Sequence, residues 1–164
     1  MSTAGEVRVP FLPYRLFFLY IEPLSALLGA YYAGRPAEYL FMLTLNGTLL
    51  HHSSLPTTTP VAISLFQLSN LYLLFALNEH LVLSSTNSLR TWRRLLFCLL
   101  IADFGHLITM YPLGSEVYWH VWDWNAMVWG SVGFVYLGAA MRLSFLFGLG
   151  LGLNRDKVNA TKDR

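Results

Sequence analysis

Four runs of apolar residues, about 11–33, 60–83, 95–112 and 125–149, set the tightest limit on what this chain can fold into. A hydrocarbon core of about 30 Å is crossed by roughly 20 mostly apolar residues in a helix that rises about 1.5 Å per residue. Each run comes close to that length, and backbone polar groups in lipid must be satisfied within the segment itself, so each run is read as a helix. Composition agrees: 55% of residues are hydrophobic and 12% charged, with a mean hydropathy of +0.47. The fold expected is all-α, a polytopic four-helix transmembrane bundle over residues 1–153. The tail, 154–164, reads NRDKVNATKDR, has no apolar period and is expected to be disordered and cytosolic.

Between the first and second spans, the apolar stretch from Glu38 to Leu50 is short, contains Asn46 and Gly47, and ends in His51-His52. It is expected to form a short interfacial or re-entrant helix. The first run is as long as a bilayer is thick and lacks an A-x-A exit, so it reads as a retained helix and not a cleaved signal.

Basic residues set the orientation. Arg8, Arg15, Arg90, Arg93, Arg94, Arg155, Lys157, Lys162 and Arg164 fall on one side of a four-span topology, and the opposite loops carry only Arg35. The positive-inside rule then puts both termini in the cytosol, with the endoplasmic reticulum as the expected membrane. Loops 34–59 and 113–124 face the lumen, where Trp119, Trp122 and Trp124 suit an aromatic belt and Asn46 in Asn46-Gly47-Thr48 is a glycosylation candidate.

Several function classes lack any signature. The net charge of +2 is too small for nucleic-acid binding, and membrane lipids are the expected partner of the basic ends. Cys98 stands alone, which excludes an internal disulfide and a CxxC framework. No HxxxH or HExxH spacing occurs, and there is no GxGxxG, Walker loop or GxSxG, so neither a metal nor another cofactor is expected.

What remains is a set of ionisable residues inside the spans, where each charge costs about 2.5–3.5 kcal/mol on insertion scales and needs a partner, a wet cavity or a proton. Counted from the cytosolic ends, Glu22 lies about 16 Å along the first helix, with Asp103 about 12 Å and His106 about 16 Å along the third. Asp103 and His106, spaced i,i+3 in ADFGH, are expected to share a face and a proton beside Gly105. Pro23 leaves the Leu19 carbonyl without its donor, next to Glu22. Ser25, Gly29 and Ala33 form a small-residue face open to a neighbouring helix, and a homodimer is considered on it. Glu79 and Arg142 stand at similar depth and are expected to form a structural ion pair. Ser64, Gln67, Asn70 and Asn78 on the second span, and Asp123, Asn125, Trp129 and Tyr136 on the fourth, are expected to line a substrate cavity.

At PYRLFFLYIEPLSALLGAYYA, ADFGHL and WDWNAMVWGSVGFVYLG the chain resembles a family of small four-span membrane proteins of filamentous fungi, some of them associated with secondary-metabolite pathways. That family is similar in scale and polar-core design to membrane-bound enzymes that open epoxides or cyclise polyketide and terpenoid chains. The resemblance implies a lipophilic small-molecule substrate and points to Glu22, Asp103, His106, Asp123 and Asn125. The reaction expected is acid/base opening of an epoxide, with Glu22 as proton donor, Asp103 with His106 as base, and Asn70, Asp123, Asn125, Trp129 and Tyr136 around the substrate. Two alternatives use the same pocket: protonation-initiated terpene cyclisation, in which Trp129, Tyr136 and Tyr20 face cationic intermediates, and non-catalytic binding of a lipid or sterol.

Overall fold

The computed structural model describes residues 12–43 and 58–151. Asn46, His51, His52 and the 154–164 tail lie outside the described residues. Four helices are long and apolar enough to cross a membrane: α1 (Leu12–Ala33), α3 (Thr59–Ser84), α4 (Leu89–Thr109) and α5 (Ala126–Leu146). Helix α2 (Pro36–Leu43) follows α1 after a short turn and, at 8 residues, is about 12 Å long, too short to span. No strand occurs among the described residues, and the all-α four-span bundle stands.

The third span begins six residues earlier than the apolar run, at Leu89, where Ser88 caps the helix by accepting from the Thr91 amide at 3.4 Å. Arg90, Arg93 and Arg94 therefore belong to the first turns of a span and not to a loop. The fourth span is shorter than expected, ending at Leu146. Gly148 and Gly150 then take positive φ values of 80° and 69°, so the glycine-rich segment is a turn. Tyr14 secures that turn by donating to the Leu149 carbonyl at 2.8 Å.

Helix α1 packs mainly along α3, and α4 along α5. The small residues explain the first pairing. A Cβ added at Gly29 would meet the Tyr72 ring at 3.4 Å, Ala33 is buried, and Ser69 donates to the Ala30 carbonyl at 2.7 Å. Lipid is as apolar as the side chains themselves, so close packing replaces hydrophobic transfer as the cohesive force. Tyr14, Phe17, Phe18, Trp92, Leu96 and Phe145 form one packed end, with Tyr14 and Phe145 edge to face at 5.2 Å. Met110, Val117, Val128 and Val132 close the other end.

Two spans contain a five-residue π segment: Phe17–Ile21 in α1 and Trp129–Gly133 in α5. The first ends where the Glu22 amide bonds the Phe17 carbonyl, directly before Pro23. The proline-induced irregularity is thus absorbed by widening the helix over one turn.

Candidate functional site

Arg142 of α5 is fully buried and is met by carboxyl groups from all three other spans. Its Nη1 donates to Asp103 Oδ2 of α4 at 2.6 Å, and its Nη2 donates to Glu22 Oε1 of α1. Glu79 of α3 has Oε1 3.7 Å from Nη2, within ion-pair range but beyond a hydrogen bond. The Glu79–Arg142 pair expected from depth is therefore one edge of a four-residue cluster, and its weakest. Depth alone cannot say how a guanidinium fork divides between acids.

The backbone makes room for this convergence. Gly138 lies one turn before Arg142, and a Cβ there would stand 2.9 Å from Nη1 and 3.4 Å from Glu22 Oε1. Only a residue without a side chain lets the guanidinium lie against its own helix and reach α1. Phe18 and Phe75 flank the guanidinium carbon, with ring centroids at 5.8 and 6.0 Å, and wall the cluster with aromatic faces.

Three carboxyl groups face one guanidinium. Full ionisation would leave two net negative charges sealed in apolar surroundings, so charge balance requires protons on the cluster. Glu22 Oε2 and both oxygens of Glu79 are buried without a donor. Glu79 lies against Glu22, and a proton on either carboxyl lets it donate to the other.

His106 does not join Asp103. Its Nε2 donates to the Ser131 carbonyl at 3.0 Å, and no ion pair links the two residues. The i,i+3 spacing put them on neighbouring positions of α4, but Asp103 is held by Arg142 of α5 while His106 reaches the Ser131 carbonyl in the π turn of that same helix. His80 acts in the same way on α1: its Nδ1 donates at 2.7 Å to the Leu19 carbonyl, the acceptor that Pro23 leaves free. Each π segment thus has its third carbonyl taken by a histidine from an adjacent helix.

The other expected site residues are dispersed. Gln67, Asn70 and Asn78 point out of the bundle, as does Gly105, whose added Cβ would meet nothing within 4 Å. Asp123 is exposed and lies 3.7 Å from His120. Asn125 is structural: Oδ1 accepts from the Val128 amide at 2.9 Å as an N-cap, and Nδ2 donates to the Met42 carbonyl at 2.6 Å, tying α5 to α2. Trp129 stacks edge-on against Trp124 at 5.0 Å, and Tyr136 lies 6.4 Å from the same ring. Tyr20 is exposed, next to His80. Trp119 and Trp122, 72% and 96% exposed, sit in the loop where an aromatic belt was expected.

An open apolar groove of about 310 Å³ lies apart from the cluster, lined by Phe104, Leu107, Ile108, Tyr111 and Tyr118. Tyr118 closes its floor by donating to the Leu107 carbonyl at 2.5 Å. Among the described residues no group of His, Cys, Asp and Glu side chains is arranged to hold a metal ion.

Four apolar spans around a sealed charge cluster define an integral membrane protein of the all-α class. Residues 6–152 match the family model of the domain of unknown function DUF7704, and the chain belongs to that family. No curated protein and no solved structure matches it.

Proposed function

We propose that this protein is a membrane enzyme performing acid/base chemistry on a lipophilic substrate, opening an epoxide in a polyketide or terpenoid chain. One observation carries the reading: Arg142 is met by two more acids than its own charge needs. A single carboxylate would make a structural pair, whereas further acids in hydrocarbon are costly and mark proton chemistry.

The division of labour follows from contacts. The Glu22–Glu79 pair supplies the proton to the epoxide oxygen as a C–O bond breaks. Asp103, whose side chain retains 10% exposure, is the most accessible member and takes the proton from the water whose oxygen bonds to carbon. The product is a diol, and the proton passes back from Asp103 to the glutamate pair to reset the site. Arg142 bonds both Asp103 and Glu22, so it compensates whichever of them is charged at each stage. His106 has no place in this cycle. The protein acts in the endoplasmic reticulum with both termini cytosolic, an orientation that rests on the basic residues.

Membranes containing the protein should consume epoxidised terpenoid or polyketide chains, and Glu22→Gln or Asp103→Asn should each lower turnover about 100-fold or more at unchanged abundance. Unchanged turnover in both variants removes the assignment. A second reading, non-catalytic binding of a lipid, draws on the complete burial of Glu79 and Arg142 and on the apolar groove beside Phe104. Saturable binding of the same epoxides without any turnover would favour it. The Ser25, Gly29 and Ala33 face considered for a homodimer is occupied by α3, so a second copy needs another surface under either reading.

A further inference from the structure

Helix α3 is the least enclosed span: 11% of its membrane window is buried inside the bundle, against 22–33% for the others. Leu65, Ala76, Glu79 and Leu83 face inward. On the opposite side, Ser64, Gln67, Leu71, Leu74, Asn78 and Leu81 are all exposed, and their steps alternate three and four residues without a break. Asn70 lies beside this seam and is exposed as well.

An apolar outer face would need no explanation in lipid, but this one carries primary amides. Gln67 and Asn70 stand about 12 and 16 Å along the helix, well inside the hydrocarbon. Ser64 donates to the Pro60 carbonyl one turn back, which satisfies it locally. Gln67, Asn70 and Asn78 have no hydrogen-bond partner among the described residues. An amide facing lipid tails loses both its donor and its acceptor contacts, so such residues are found against another protein surface.

We infer that α3 is the interface of a parallel homodimer, with the heptad seam Ser64, Gln67, Leu71, Leu74, Asn78 and Leu81 packed against its own copy. The occupant follows from three features. A primary amide is both donor and acceptor, so it pairs with a second copy of itself across a two-fold axis. Copies inserted with the same orientation are related by an axis along the membrane normal, which makes two α3 helices parallel. In a parallel pair with heptad spacing each layer stacks a residue on its own equivalent, and an asparagine in such a layer fixes register and favours the dimer. This inference is independent of the chemistry assigned to the buried cluster.

The test uses the full chain carrying Cys98→Ser, reconstituted in phosphatidylcholine vesicles at varied dilution. Leu74→Cys or Leu71→Cys in that background should form a disulfide-linked dimer on mild oxidation, whereas Ile101→Cys, exposed on α4, should not. The combined Gln67→Leu, Asn70→Leu and Asn78→Leu variant, which makes the outer face more lipid-compatible and leaves the inward contacts intact, should lower the dimer fraction at least tenfold by single-molecule photobleaching. A monomer at every dilution, equal cross-linking at Ile101→Cys, or an undiminished dimer in the combined variant would overturn the interface. So would cross-linking of Leu74→Cys in native membranes only to a different polypeptide.

Discussion

Arg142 Nη1 donates to Asp103 Oδ2 at 2.6 Å in the buried interior of the bundle, so one guanidinium joins α5 to α4 while its second nitrogen holds Glu22 of α1. Arg142→Met removes the one cation that faces the three buried acids among the described residues and should cost about 3–5 kcal/mol, as breaking a buried ion pair from one side does. Reversible unfolding in mixed micelles measures it. Adding Glu22→Gln, Glu79→Gln and Asp103→Asn to Arg142→Met should recover most of the loss, because no uncompensated charge then remains.

Gly138→Ala places a methyl carbon 2.9 Å from Arg142 Nη1. The guanidinium must shift away from Asp103 or Glu22, and overpacking of this kind costs about 1–3 kcal/mol. Turnover should fall with it, because the displaced fork no longer spans both acids. A variant with wild-type stability and turnover would show that Gly138 is not what admits the arginine.

His80→Ala and His106→Ala each leave a π-segment carbonyl, of Leu19 or Ser131, without its donor. A buried acceptor stranded in this way costs about 1–3 kcal/mol. Turnover per folded molecule should stay within about twofold in His106→Ala, since the ring bonds the Ser131 carbonyl and no member of the cluster. Loss of turnover at unchanged stability would restore His106 as the partner of Asp103.

Asn125→Ala removes an N-cap and the link to Met42 together. Loss of the cap alone is worth about 0.5–2 kcal/mol. The expected signature is lower thermal stability with unaltered substrate affinity, which separates a structural asparagine from one that binds substrate.

Length and composition were sufficient for the bundle. Hydrocarbon thickness and the need to satisfy every backbone hydrogen bond act on local sequence, so the four spans, the short helix after the first and the exposed tryptophans were all legible from residue order. Glu22, Glu79, Asp103 and Arg142 were each legible as expensive residues for the same reason: insertion cost is a property of one side chain at one depth. Which of them meet was legible only in part, for Glu79 and Arg142 do stand 3.7 Å apart but as one edge of a larger cluster. Spacing along α4 suggested Asp103 with His106, and depth suggested Glu79 with Arg142, but a hydrogen bond depends on the direction of side chains brought together from different helices. Pro23 signalled the irregularity in α1 and the freed Leu19 carbonyl, but the space used at Gly138 and the π turn of α5 depend on packing between helices that no local pattern encodes. The outward amides of α3 show the same division: the residues were visible as a polar stripe, and only the placement of α1 against the other side of that helix determined that the stripe faces out of the bundle and not into it.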